Sequence, residues 1–380
     1  MKFTNYFKNN KSLYYAIYCL LLFIILASCG HNSIPYTVKY IEKTKLDSLW
    51  KDYFSGNYNK LLIEEDSLLL EYSWDNNINL LYGRTYTEIE KFENAIPYLL
   101  KVTKNVGSES WQQAWAYAYL GTCYYMQGRN SKAKKAFEKC IDLNATRNVN
   151  QFAKMRMLLF GFNEFYDNWS TVSTKYFRFH FQNKSASNLN HKRFIFKRSI
   201  AYNTINEFFN SKIPKKIDFF VWDSDDDALK LFERNLGFSN TRYCVIHSHY
   251  KQTPGHELTH ILSPRYVEDV MVYNKPSDFI FEGTSVYFDL SGRSRELMVE
   301  KAINQYNKDI SIIDLWENFR SFPEGFSYPI AGYFIQELIK IFGKEKYLEF
   351  YADQSYENAL NIFGPELVIL ITDIENKFND

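Results

Sequence analysis

Thr253-Pro254-Gly255-His256-Glu257-Leu258-Thr259-His260-Ile261-Leu262 holds two histidines four residues apart, with a glutamate directly after the first. On a helix, positions i and i+4 share a face, so both imidazoles can reach a single metal ion. Thr253 offers a cap, Pro254 suits a first helical position, and Pro264 marks a stop. Two neutral imidazoles make a nitrogen site that suits Zn²⁺. Glu257, about a quarter-turn round from His256, is placed to accept a proton beside the ion rather than to ligate it. The plainer alternative is a surface helix that carries two unrelated histidines.

Downstream, Pro276-Ser277-Asp278-Phe279-Ile280-Phe281-Glu282-Gly283-Thr284-Ser285-Val286-Tyr287-Phe288 reads as a second helix, capped near Ser277 and ending around Gly292. Glu282 is the one acid inside its apolar part. A carboxylate on a buried face is costly unless paired or bound to metal. An ion already held by two histidines is such a partner. A His2Glu set with one position left open is the arrangement of catalytic rather than structural zinc.

These two motifs resemble those of the gluzincin metallopeptidases, the thermolysin-like and aminopeptidase-like zincins. The aminopeptidase-like pattern aromatic-Leu-x-Glu-Gly-x-Ala is matched by Phe279 to Ser285. The resemblance covers roughly residues 174 to 350 and is diffuse outside the motifs. It implies an α+β metallopeptidase domain with Glu282 as third ligand. Thermolysin-like members carry an acid four residues after that glutamate, and this chain has Val286 there. The group that orients a histidine is therefore unassigned, with Asp278 and Asp289 as guesses.

The residues before the histidines alternate in type. Tyr176 to Phe181 interleaves aromatic and polar residues as a strand does, and helices at about 190–210 and 225–235 separate strands at 217–222 and 242–247. In gluzincins the strand preceding the active-site helix is an edge strand that pairs with extended substrate. The resemblance gives that place to residues 242–247. His180, His191, His247 and His249 are further histidines, each more simply read as a surface or satisfied core residue.

Residues 46–168 read as all helix with an internal repeat. Tyr117-x2-Leu120-Gly121-x2-Tyr124, then Ala133, Phe137 and Cys140, follows the tetratricopeptide pattern. Tyr82-Gly83-x2-Tyr86, then Ala95, Leu99 and Val102, is a second copy, and Phe54-Ser55-Gly56-Asn57-Tyr58 marks a weaker third. Gly83 and Gly121 stand 38 residues apart, so a longer loop falls between about Gly107 and Trp111. Residues 149–166 read as a helix that caps the stack. Such a stack can offer a concave surface to a protein partner, or serve as a spacer.

Lys2, Lys8 and Lys11 precede an apolar run from Leu13 to Ala27, the layout of a secretory signal over residues 1–28. Its end, Leu26-Ala27-Ser28-Cys29-Gly30, resembles a bacterial lipobox. That resemblance implies lipidation of Cys29, a linker over 29–45, and an envelope protein tethered to a membrane. Of the later cysteines, Cys123, Cys140 and Cys244, the first two suit a helical core, with a disulfide between them left open. The net charge of +1 and the lack of a basic run exclude a nucleic-acid surface.

The expected architecture is thus multidomain: all-α tetratricopeptide-like repeats, then an α+β zincin-type domain over 170–380 with a helical C-terminal lobe. Tyr328, just before Pro329 in a helix expected to run to Gly343, is the oxyanion donor by resemblance. Glu257 is the general base, and Zn²⁺ on His256, His260 and Glu282 the cofactor. The expected activity is peptide-bond hydrolysis on a peptide or protein substrate. The alternatives are an envelope scaffold with an inactive zincin domain and a zinc hydrolase of a non-peptide amide.

Overall fold

The computed structural model describes residues 40–182, 190–266 and 276–379. The expected signal and the expected lipidation site at Cys29 lie outside these residues. Among the described residues no helix is long and apolar enough to cross a membrane. The chain divides into two compact units between Tyr82 and Gly83. The change of pattern near residue 170 is therefore not where the units part.

The first unit holds α1 (Lys43–Phe54), α2 (Tyr58–Ile63), α3 (Glu65–Tyr72) and the start of α4 (Asn76–Glu88). Asp75 joins its ends, accepting from the Ile41 amide at 3.1 Å and from the Asn77 amide at 2.7 Å. At the weaker third copy α1 and α2 meet across a short turn. Its Gly56 has φ +74° and open space where a Cβ would stand, so it serves a turn rather than a close helix approach.

The second unit continues through α5 (Phe92–Lys104), α6 (Ser110–Met126), α7 (Asn130–Leu143) and α8 (Arg147–Leu159). The two repeat glycines act as expected of them. A Cβ on Gly83 would meet Leu99 at 2.5 Å, and one on Gly121 would meet the Phe137 ring at 2.7 Å. Bulk at either position would push paired helices apart. α8 closes the stack, laying Phe152 on Tyr119 with ring centres 5.6 Å apart. Cys123, Cys140 and Cys244 are free and buried.

A five-stranded sheet follows, built from β1 (Ser170–Ser173), β2 (Phe177–Phe181), β3 (Ile217–Trp222), β4 (Phe238–Asn240) and β5 (Val245–His249) in the order β1-β2-β3-β5-β4. β2, β3 and β5 are parallel, while β1 and β4 run antiparallel on the two edges. The strand before the histidine helix is therefore not the edge. β4, too short to announce itself in sequence, covers it, and Thr241 to Cys244 turn between the two. β5 begins at Val245, three residues later than expected.

All six residues of β3 are buried, as befits a central strand covered on both faces. On one face Phe219 meets Phe194 of α9 (His191–Phe209) at 5.8 Å. On the other, Phe220 packs on Tyr166 and Trp169, and the tail of the repeat stack reaches the sheet. There His247 lies flat on Phe220, accepts at Nδ1 from the Trp222 indole (3.1 Å) and donates from Nε2 to the Leu159 carbonyl (3.0 Å). His247 is thus a core residue.

Burial pushes the His247 pKa down to about 3, outweighing the hydrogen bond to the Leu159 carbonyl, with His180 and Arg234 opposing its charge further and Asp218 favouring it only slightly. An unfolded chain takes up that proton near pH 6.5, so the contribution is complete above that pH and is lost as pH falls toward 3. His247→Phe keeps the stacked ring and removes the titration. Its unfolding free energy should fall less steeply than wild type between pH 6.5 and about pH 4.5, by up to ~1.4 kcal/mol per pH unit. Parallel curves from urea titrations across that range would rule this role out.

α10 (Asp225–Phe232) lies between β3 and β4, and after the sheet the described chain is helical: α11 is His256–Leu262, α12 is Asp278–Tyr287, α13 is Arg295–Tyr306 and α14 is Ile312–Asn318. α15 (Glu324–Tyr351), α16 (Tyr356–Phe363) and α17 (Glu366–Asn379) complete the lobe. α15 bends at Gly343, whose φ of +82° no helix contains.

Candidate metal centre

α11 carries His256, Glu257 and His260, and it starts two residues later than Thr253 and Pro254 suggest. Its N-cap is Gly255, whose amide donates to the Asp289 carbonyl at 3.1 Å. A Cβ there would lie 1.8 Å from the Phe288 carbonyl oxygen. Backbone contact with the end of α12, not a side-chain cap, sets where the helix begins. At its far end Pro264 sits in a 3₁₀ turn, Ser263–Tyr266.

α12 presents Glu282 to the same point and ends at Tyr287, short of Gly292. Gly283 lets α15 cross closely, since a Cβ would meet the Ala331 carbonyl oxygen at 2.8 Å. Gly332 does the same from the other side against Val286, at 2.3 Å. These two contacts fix the height of Glu282 above α11.

Nε2 of His256 and Nε2 of His260 are 3.3 Å apart, and Glu282 Oε2 lies 3.4 and 3.2 Å from them. Ligand atoms around a tetrahedral zinc with bonds of 2.0–2.1 Å stand roughly 3.3–3.4 Å apart. Glu282 Oε2 is buried without a hydrogen-bond partner. An orphaned carboxylate oxygen facing two ring nitrogens at these separations fits a shared cation. Among the described residues this is the one His/Cys/Asp/Glu group so arranged.

The surroundings favour positive charge at this point. Burial works against the Glu282 carboxylate, yet His256 and His260 hold it well below the usual range. His256 is raised despite burial, by Glu282, Glu257 and Asp289.

His260 is oriented by a residue that the sequence reading passed over. Ser285 Oγ donates to the Phe281 carbonyl (3.1 Å) and so accepts from His260 Nδ1 at 3.1 Å. The proton on Nδ1 leaves the Nε2 lone pair for the cluster. Ser285 is three residues after Glu282 on the same helix face, a signal that spacing alone could have supplied. Of the guesses, Asp289 accepts from the Ser291 amide at 2.8 Å, and Asp278 acts through another residue.

That residue is Arg320, which has no local signature in sequence. Its Nε donates to Asp278 Oδ2 at 2.8 Å, its Nη2 to Glu282 Oε1 at 3.0 Å, and its Nη1 to Tyr328 Oη at 3.2 Å. One guanidinium thus fixes both Oε1 of Glu282 and the phenol of Tyr328. Because Tyr328 Oη accepts from Arg320, its own hydrogen can be given to the cleft. Burial and the nearby Glu282 charge push the phenol pKa up, which keeps that hydrogen in place.

Tyr328 is not at a helix mouth as expected. α15 begins at Glu324 and Pro329 lies within it. The tyrosine still reaches the centre, its ring 6.1 Å from that of His256. It lines a cleft of about 360 Å³ together with His256, Glu257, His260, Glu282 and Arg320. β4 and its flanks supply the opposite rim through Ser239 and Thr241, and Thr241 Oγ1 donates to the His260 carbonyl at 2.7 Å.

The remaining histidines stand apart. His180 bridges Thr171 and Asp218, and His191 stacks on Phe181. His249 stays by Tyr250 and accepts from the Lys251 amide at 3.2 Å.

Comparison with known proteins identifies the repeats. Residues 77–105 and residues 114–146 each match a tetratricopeptide-repeat family model. No curated protein matches the chain. The chain is thus a tetratricopeptide-repeat region followed by a mixed α/β region with a small sheet and many helices.

Proposed function

We propose that this protein is a zinc-dependent metallopeptidase of the gluzincin type, lipid-anchored through Cys29 in a bacterial cell envelope. The observation that carries the reading is the convergence of His256 Nε2, His260 Nε2 and the unpartnered Glu282 Oε2 at zinc-ligand spacing. A zinc ion on these three residues would supply a Lewis acid and lower the pKa of water toward neutrality.

The chain's own groups divide the remaining work. Glu257 sits in the cleft beside the cluster and, among the described residues, makes no side-chain hydrogen bond. It takes the proton of the attacking water and returns it to the leaving amine. Tyr328 donates its hydrogen to the oxygen that gains charge on the scissile carbonyl. Arg320 holds Tyr328 and Glu282 in place. The short edge strand β4 borders the cleft and offers backbone groups to an extended peptide. Tetratricopeptide repeats commonly serve protein contacts, so the stack is the natural surface for a protein partner.

The test is zinc stoichiometry paired with cleavage of a mixed peptide library by the full chain in detergent. About one zinc per chain with cleavage that a chelator abolishes is expected. Zinc without cleavage would move the protein to a binding role or a non-peptide amide, and absence of zinc after metal-replete purification would sink the reading.

Arg320→Gln should weaken zinc binding by roughly tenfold or more, as loss of outer-shell partners does. Competition with a calibrated chelator measures it. Unchanged affinity would mean that Glu282 needs no such support.

A further inference from the structure

A second cleft, of about 340 Å³, lies beside the segment that feeds α11. Lys197, Arg198, Lys251 and Arg293 line it, and no carboxylate does. Lys197 and Arg198 belong to α9, Lys251 to the turn after β5, and Arg293 to the stretch between α12 and α13.

Arg198 sets this apart from a patch of surface lysines. It is 3% exposed, and its guanidinium makes one hydrogen bond among the described residues, from Nη2 to the Gln252 carbonyl at 2.7 Å. Its Nε is buried without a partner. Stacking over Phe194 at 3.6 Å supplies a cation–π contact but no counter-charge. Burial alone pushes its pKa down to about 9, with no acid raising it. A buried cation is costly unless paired.

We propose that this cleft binds a phosphate-type oxyanion, with Arg198 as the buried anchor and Lys197, Lys251 and Arg293 as the charged rim. Arginine's fork suits two oxygens of one phosphate. The source is either free phosphate or a phospholipid headgroup. Ile200 and Leu290 line the same cleft and are 44% and 38% exposed, and Phe196 beside them on α9 is 64% exposed. Acyl chains would cover such residues, and a free ion would not. The proposal does not depend on the metal centre.

The experiment is isothermal and thermal titration of the full chain in non-ionic detergent at constant ionic strength. The ligands are sodium phosphate, glycerophosphoglycerol as a diester headgroup, and sodium chloride as control. Phosphate should give saturable binding and raise the midpoint of unfolding over chloride. Arg198→Met should weaken that binding by at least about tenfold, and so should Lys251→Glu with Arg293→Glu. Without phosphate, Arg198→Met should be no less stable than wild type, because it removes an uncompensated charge. Should that variant fail to fold, the rim variant alone decides. Tighter binding of the diester identifies a lipid headgroup, and tighter binding of phosphate identifies the free ion. No saturable binding over chloride, or binding that survives these substitutions, overturns the proposal and leaves Arg198 as a ring-stacking residue.

Discussion

Glu257→Gln is expected to leave zinc content near wild type and to cut peptide cleavage by roughly a thousandfold, within the range lost with a general base. The two properties separate because of where the atoms lie. The cluster is made by His256 Nε2, His260 Nε2 and Glu282 Oε2, and Glu257 contributes only its charge to that neighbourhood. The amide keeps the shape of the side chain and cannot hold a transferred proton. Glu282→Gln makes the informative contrast. It removes charge from a buried carboxylate oxygen that has no hydrogen-bond partner, so zinc affinity should fall together with activity. Single-turnover cleavage with parallel metal analysis distinguishes the variants. Residual activity of Glu257→Gln within about tenfold of wild type would assign the base elsewhere.

Much of this centre was legible in sequence because its parts are local. The spacing of His256 and His260 is a property of one helical turn, and Glu282 stood out as the single acid of an apolar segment. β3 matched its expected bounds, since a short run of large apolar residues, interrupted only by Asp218 and bounded by polar residues, leaves little choice. The parts that were not legible depend on distant backbone. α11 starts at its observed residue because Phe288 and Asp289 meet Gly255, and nothing near Thr253 records that contact.

Arg320 and β4 were missed for a related reason. Arg320 lies 38 residues beyond Glu282, and its three partners come from two different helices. β4 has three residues and acquires its meaning by pairing with β5. Family resemblance placed the edge at residues 242–247, and the pairing of β4 moved it. The carboxylate sought at Val286 had a neutral substitute one position earlier. Ser285 orients His260 without adding negative charge, which the pattern of an acid four residues after the ligand could not suggest.

Asp218→Asn should lower the unfolding free energy by about 3–5 kcal/mol, the cost of breaking a buried ion cluster on one side. Asp218 is 2% exposed and collects Tyr125 Oη at 2.7 Å, His180 Nε2 at 3.0 Å, Lys215 Nζ at 2.5 Å and Arg178 at 3.4 Å. Burial raises its pKa, but Lys215, His180 and Arg178 outweigh that and hold the carboxyl well below its usual range. The amide would leave Lys215, itself 6% exposed, without the charge it faces. Because Tyr125 belongs to the repeat at residues 114–146 and Asp218 to the central strand, the loss should be shared by both. Two further ion pairs cross the same seam: Arg242, in the turn between β4 and β5, pairs with Glu88 at the end of α4, and Arg265, just after α11, pairs with Glu90. The helices and sheet of the second unit should therefore unfold in one step, wild type and variant alike, with far-UV dichroism and tryptophan fluorescence tracing one urea transition for it. A loss under about 1 kcal/mol, or two separated transitions, would show that the repeats stand free of the sheet. Their role would then be that of a spacer rather than a wall of the domain that holds the candidate metal centre.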